Sequence, residues 1–303
     1  MRNARLLLLS IVLSSVFMGA CLDAAAEVVY RGDERLDSER PEAWAMHYFT
    51  AASLMTGFGA SPELRPGQWA MAAELGQIPR LSQEQQQVGF SGSKAEDLNK
   101  SPAIGRLRGW IGLPGGWIGE LGFTPPVEIH GARPRALFSA AIGRTLYKRE
   151  DFSLSARLFG QHGSVGGDIT CPSDVAATQD PQANPYGCMA PSNDALRLNY
   201  YGLELVSALD RGPWQWHASA AAVRFETEVQ VDALTFGIHD LSRLTATDVR
   251  PAFAVGASRG FAQRWRCGAE LLYVPLQVRR DADAASGNDP LASIRLYLRY
   301  QAK

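Results

Sequence analysis

Beyond its first two dozen residues the chain lacks any run of roughly 18 apolar residues, so it has no segment for a membrane-spanning helix. It lacks an excess of either charge: 30 Lys and Arg stand against 31 Asp and Glu, a net charge of −1. That balance leaves no basic footprint for nucleic acid. It has only four cysteines and five histidines in 303 residues, and none falls at zinc-ligand spacing, so neither a metal nor a cofactor is expected. Gly115-Gly116 and Gly166-Gly167 do not stand between a strand and a helix, which excludes a phosphate loop. No coarse internal repeat is present, which excludes a propeller or a solenoid.

The exception to the first absence is the amino terminus. Arg2 and Arg5 precede an apolar stretch from Leu6 to Val16, followed by Gly19, Ala20, Cys21 and Ala24 to Ala26. A basic start, a short apolar middle and small residues after it predict a secretory signal over 1–26. Two cleavage sites remain open. Met18-Gly19-Ala20-Cys21 resembles a lipobox, which would make Cys21 a lipidation site, although Met18 stands where Leu is usual. Ala24-x-Ala26 offers an ordinary cut before Glu27. Export fits the cysteines: Cys171 and Cys188 bracket a loop rich in Pro, Asn, Asp and Gly, and a disulfide is expected there. Cys267 is left over inside a predicted strand, where it is expected to pack.

From residue 67 onward the hydropathy period is two, the mark of strands with two unlike faces. In the last segment Ala292, Ile294, Leu296, Leu298 and Tyr300 alternate with Ser293, Arg295, Tyr297, Arg299 and Gln301. Segments 152–161, 214–222 and 264–275 repeat the pattern, and 67–78, 103–113, 117–123 and 249–258 do so less cleanly. Segment 135–147 is ambiguous, because Arg144 falls on its more apolar face. Segment 195–209 changes phase between Leu196/Leu198 and Leu203/Leu205, which a β-bulge would explain.

The connections alternate in length. Tight turns are read at Leu113–Gly116, Lys148–Asp151, Asp210–Pro213 and Arg259–Phe261. Between them lie long polar stretches at about 79–102, 124–134, 162–193, 226–247 and 276–290. Trp69, Trp117, Trp214, Trp216, Trp265 and Tyr300 sit near strand ends, four of them just after a tight turn, as in an interfacial aromatic girdle. Over residues 67–303 the chain resembles single-chain bacterial outer-membrane β-barrels as a broad class. The resemblance implies an all-β, up-and-down antiparallel transmembrane barrel of about ten strands; a strand added by 46–58 would favour twelve. A secreted β-sandwich is the competing fold. The resemblance also implies passage through the periplasm, insertion by the barrel-assembly machinery, and contact with outer-membrane lipid and lipopolysaccharide. One departure is the end of the chain: such barrels often finish on an aromatic, whereas Tyr300 is followed by Gln301, Ala302 and Lys303.

Residues 27–66 read differently. Asp37 or Ser38 is expected to cap a helix with Pro41 in its first turn and Gly57 to Gly59 as its stop. The segment is read as periplasmic, at the membrane surface, or as a plug. The predicted inner face of the barrel is polar, with Glu74, Arg106, Arg108, Glu120, Arg157, Arg197, Arg264, Arg266, Glu270, Arg295 and Arg299 lining the lumen, joined by Asn199, Gln215 and His217. Such residues either select what passes or pair with one another and fill a narrow lumen.

Two His-x-Ser pairs invite an enzymatic reading, since residues two apart share a strand face and the histidine can serve as base. His162 and Ser164 lie at a loop end, with Asp168 or Asp194 as guesses for a third partner. His217 and Ser219 lie near a tight turn. Asp281, Asp283, Asn288 and Asp289 share one loop, but their spacing matches no calcium motif. Three functions stay open: a narrow or gated transport barrel for small or apolar solutes, a structural barrel whose extracellular loops bind lipopolysaccharide or a partner, and a lipid hydrolase using His162 and Ser164.

Overall fold

A computed structural model describes residues 28–178, 180–281 and 285–302. The expected signal segment, both cleavage sites, Cys21 and Asp283 lie outside the described residues. Among the described residues no helix is long and apolar enough to cross a membrane.

The alternating segments form ten strands: β1 (Trp69–Gln77), β2 (Ala103–Gly112), β3 (Trp117–Thr124), β4 (Arg133–Arg149), β5 (Phe152–Gly167), β6 (Asp194–Arg211), β7 (Trp214–Gln230), β8 (Arg243–Phe261), β9 (Trp265–Val274) and β10 (Leu291–Gln301). Each pairs antiparallel with the next, and β10 closes on β1, with Leu296 opposite Leu75 and Leu298 opposite Ala73. The result is a closed up-and-down barrel, which leaves no free sheet edge within its wall except where strand lengths differ.

The period of two sets inside against outside. Along β10, Ala292, Ile294, Leu296 and Leu298 are exposed, while Ser293, Arg295, Tyr297 and Arg299 are buried. Leu107, Ile111, Leu121, Ile142, Leu158, Leu203, Leu205, Val255 and Leu271 face outward in the same way. A continuous apolar exterior of this kind is the lipid-facing band of a transmembrane barrel and rules out the sandwich, whose apolar face would be buried. Trp69, Trp117, Trp214, Trp216 and Trp265 are exposed at one end, with the Tyr300 ring 5.1 Å from that of Trp265. Cys267 shares this outer face instead of packing inside.

Two local expectations are corrected. The turn read at Arg259–Phe261 is displaced: these residues pair with β9, Phe261 opposite Trp265, and the reversal is made by Ala262, Gln263 and Arg264, with Ala262 and Gln263 left-handed. β6 has no bulge. Its register against β7 is unbroken, and the inward face changes from apolar (Leu196, Leu198) to polar (Glu204) without a change of phase. The irregularities lie in β4, between Arg135 and Phe138 and between Thr145 and Tyr147, which accounts for the ambiguous pattern of 135–147.

The amino-terminal segment runs through the barrel. Val28–Tyr30 pairs with Ile238–Asp240 in the β7–β8 connection, and Asp33–Arg35 pairs with Arg243–Thr245 of β8, both at the end of the long connections. Helix α1 (Pro41–Ala52) then enters the lumen, where Trp44, His47, Ala51 and their neighbours are buried on every side. Residues 53–64 continue toward the short turns. There Glu63 meets Lys148, the Gly67 amide donates to the Gly112 carbonyl at 2.9 Å, and the Gly112 amide donates to the Gln68 carbonyl at 2.9 Å. Gly112 is required at this approach, because a Cβ would lie 2.2 Å from the Arg65 carbonyl oxygen. Residues 46–58 therefore supply helix and extended plug and no strand, and the barrel has ten strands, not twelve. α1 begins later than expected. Its N-cap is Arg40, whose side chain makes no cap bond, while Asp37 accepts from the Glu39 amide and holds the preceding turn.

The long connections form a cover. Cys171 and Cys188 are joined by the expected disulfide, with Cα atoms 5.6 Å apart. Lys94 of the β1–β2 connection pairs with Glu96 at 2.9 Å and donates to the Thr170 carbonyl at 2.6 Å, which ties that connection to the disulfide loop. Burial pushes the Glu96 carboxyl up to about 7, against the opposing pull of Lys94.

Two outcomes follow from this layout. A short epitope inserted between Arg31 and Gly32 should be labelled from the same membrane face as one within 181–186, and one after Gly212 only from the other face; labelling of the Arg31 insertion together with Gly212 would contradict the threading. The folded state holds the Glu96 proton more tightly than an unfolded chain with the ordinary value of 4.5, so its contribution is complete below that value and is lost as pH rises through about 7. Amide protection over 87–98, corrected for intrinsic exchange, should fall across that window and become flat in Glu96→Gln.

Candidate functional site

The lumen is occupied by charge arranged as a lattice. Arg108 donates to Glu74 at 2.9 Å and to Glu120 at 2.5 Å. Arg157 donates twice to Glu120, at 2.8 and 2.9 Å, and also to Glu204. Arg106 lies 3.5 Å from Glu74 and also bonds Gln161 at 3.1 Å. All these groups are buried, so each needs its partners: an unpaired charge there would bear its full desolvation cost.

The same arginines hold the plug. Helix α1 ends with carbonyls that have no intrahelical partner and carry the negative end of its dipole. Arg295 donates to the carbonyls of Leu54 (2.5 Å), Ala52 (3.1 Å) and Ala51 (3.3 Å). Arg106 donates to Ser53, Arg108 to Thr56 at 2.7 Å, and Arg157 to Met55 at 3.3 Å. The plug's amides are met in turn: Met55 donates to the Tyr200 hydroxyl (2.8 Å), Gly57 to Glu204 (3.1 Å) and Ala60 to Gln215 (3.1 Å). Thr56 bonds Glu270 at 2.5 Å, and His217 faces the other Glu270 oxygen at 3.1 Å. Below this layer Leu64, Ala70, Ala72, Trp110 and Ile118 form an apolar seal at the short-turn end.

Of the lumen-lining residues read from the sequence, Glu74, Arg106, Arg108, Glu120, Arg157, Glu270, Arg295 and Arg299 are buried inside, and half-buried Arg266 bonds Ser258 across the inner face. Two stand elsewhere. Arg197 is exposed on the outer face beside Glu228, because Leu196 and Leu198 take the inward positions against the plug. Arg264 belongs to the displaced β8–β9 turn and donates to the Tyr300 hydroxyl from outside. Glu204 was missed. It was legible between Leu203 and Leu205, whose outward apolar side chains put it on the inner face.

A second feature lies in the wall. β3 ends at Thr124, before Pro125 and Pro126, which have no N–H to extend the ladder. Its neighbours run on. On the β3 side, residues 103–106 of β2 have no strand partner, since that pairing starts at Leu107–Phe123. Residues 133–136 of β4 likewise lack one, since theirs starts at Leu137–Thr124. The notch so formed leads to a cavity of about 380 Å³, within the usual size of small-molecule sites. Its walls are almost wholly apolar: Ile104, Val127, Ile129, Pro134, Val165, Leu196 and Leu198, with Phe49 of α1 at the back. Leu75 and Leu107, exposed on the lipid face, also line it. Ala73 and Leu107 are shared with a larger groove on the outer wall that includes Met71, Phe123, Phe138 and His162. The cavity therefore joins the interior to the lipid-facing surface sideways.

The hydrolase residues are not brought together. His162 is exposed on the outer face, and β5 runs on through Gly163 (φ 137°) to Gly167, so both residues stay within the strand. Among the described residues no side-chain hydrogen bond joins His162 to Ser164. The guessed third partners are committed elsewhere: Asp168 to Lys100 and the Ser173 amide, Asp194 to Ser192 and the amides of Ile169, Thr170 and Asp232. His217 pairs with Glu270, not with Ser219. Of the acidic loop, Asp289 is taken by Gln85 and Arg280, and no cluster fit to hold a metal occurs among the described residues.

Because Glu120 joins two buried arginines, Glu120→Gln should lower stability by about 3 kcal/mol, while Asp151→Asn in the exposed pair with Arg211 should cost less than about 1 kcal/mol. The urea midpoint of the heat-modifiable folded form measures both; equal shifts would deny the lattice its role.

No known family profile matches the sequence, and no curated protein matches it. Among solved structures the fold is similar to that of a loop L8 deletion mutant of OmpT, an outer membrane protein of Vibrio cholerae, at 11% identity over 66% of this chain with a TM-score of 0.28; the match spans only 54% of that protein. It is similar to Ail of Yersinia pestis, solved with the heparin analogue sucrose octasulfate, at 7% identity over 78% of this chain and 99% of that one with a TM-score of 0.32. It is also similar to LpxR from Salmonella typhimurium, at 11% identity over 76% of this chain and 99% of that one with a TM-score of 0.31. The structures that resemble this chain are bacterial outer-membrane β-barrel proteins as a class, and no particular family stands out among them.

Proposed function

We propose that the protein is an outer-membrane barrel of a bacterial envelope that exchanges small apolar solutes through its wall, its axis being closed by its own amino-terminal segment. The observation that carries this reading is the side cavity: apolar walls, a notch above the end of β3, and lining residues shared with the lipid-facing surface. The closed axis supports it, since the α1 plug, the arginine–glutamate lattice and the seal around Trp110 occupy successive levels of the lumen. In this reading residues 1–26 direct export, the barrel-assembly machinery inserts the chain, and the long connections face outward toward lipopolysaccharide. The apolar band and aromatic girdle supply the fit to a bilayer.

Purified protein in planar bilayers should show no ion conductance, while proteoliposomes should bind N-phenyl-1-naphthylamine saturably. Ile129→Trp, which fills the cavity from a loop, should abolish that binding and leave heat-modifiability unchanged. Stepwise conductance would sink the closed axis. Unsaturable binding, or binding indifferent to Ile129→Trp, would sink the cavity as the site.

A further inference from the structure

Resting on the side cavity as a solute site, the structure assigns a chemistry to what it takes. Thr124 lines the cavity at the inner end of the notch, is 4% exposed, and its Oγ1 has no hydrogen-bond partner. Arg106 lines the same cavity, and its Nε is buried and without a partner, although its terminal nitrogens are engaged by Ser53, Gln161 and Glu74. Buried polar groups are rarely left unpaired, and such groups at the wall of an apolar cavity mark where a ligand's polar atom belongs. A hydroxyl and a guanidinium N–H both serve an acceptor oxygen.

We propose that the cavity binds a neutral apolar molecule carrying a single oxygen, of the class of long-chain alcohols, alkylphenols and ketones, with the oxygen directed inward to Thr124 and Arg106. The charge around the site decides against an anion. The positive charge of Arg106 is balanced within the lattice, where Arg106, Arg108 and Arg157 face Glu74, Glu120 and Glu204, and Lys100 at the rim stands between Asp97 (2.6 Å) and Asp168 (2.8 Å), so its one charge faces two carboxylates. A carboxylate head would be desolvated there without a free cation to receive it. A pure hydrocarbon would fill the apolar volume and leave both polar groups unpaired.

The test uses the full chain in nanodiscs and a diazirine-bearing dodecanol as probe, with crosslinked peptides mapped by mass spectrometry. Crosslinks should fall in 125–134 and 196–198. Unlabelled 1-dodecanol should compete about tenfold better than dodecane, the scale of one hydrogen bond, and better than dodecanoate at neutral pH. Thr124→Val, which keeps the volume, should erase the preference of alcohol over alkane while crosslinking persists. Equal competition by dodecane and dodecanol, or an unchanged preference in Thr124→Val, would overturn the assignment of the oxygen and leave the apolar site standing. Stronger competition by dodecanoate would overturn the choice of a neutral head. Absence of saturable crosslinking within those segments would overturn the cavity as a site altogether.

Discussion

A closed barrel of ten strands encloses a lumen too narrow to leave its charges in bulk water, so every charged group that points inward has to be neutralised by another. That constraint organises the interior. Glu120 bridges Arg108 and Arg157, Arg157 reaches on to Glu204, and Glu74 serves Arg106 and Arg108. Side chains from β1, β2, β3, β5 and β6 are thereby joined across the wall, and each arginine keeps a terminal N–H for the plug.

Those remaining donors decide the course of the amino-terminal segment. A helix that ends inside a protein needs partners for its last carbonyls. Arg106 and Arg295 provide them at the point where α1 unwinds into residues 53–57. Plug and wall are thus interdependent: without α1 and its extension the arginines lose acceptors, and without the arginines the helix end is orphaned. The fit also accounts for the proposed axial closure: among the described residues α1 and the lattice occupy successive levels of the lumen, while the side cavity lies in the wall.

The wall opens because neighbouring strands differ in length. β3 has 8 residues and β4 has 17, and the proline pair after Thr124 stops β3 while β2 and β4 continue. Lengths and loops of this kind were partly legible. The alternation of tight and long connections, the outward tryptophans, the disulfide and most inward charges follow from a period of two, which maps sequence position onto a face of the sheet without further information. Reading failed where that mapping is reset or overridden. The turn at Ala262–Arg264 displaced Arg264, the β4 bulges blurred 135–147, and the plug drew Leu196 and Leu198 inward so that Arg197 faced out.

The sequence by itself determined alternating strands, about ten with twelve left open, with one apolar and one charged face, because strand periodicity and turn chemistry are local properties; the closure into ten came from the structure. It also showed that 27–66 is unlike the rest. Only the tertiary structure decided that this segment threads the lumen from the long-loop end, that Glu204 completes the lattice, and that β2 and β4 part above Thr124 to form a cavity. Each of these depends on which residues distant in the chain meet across a closed wall, and pairing of that kind leaves no periodic trace in the chain itself.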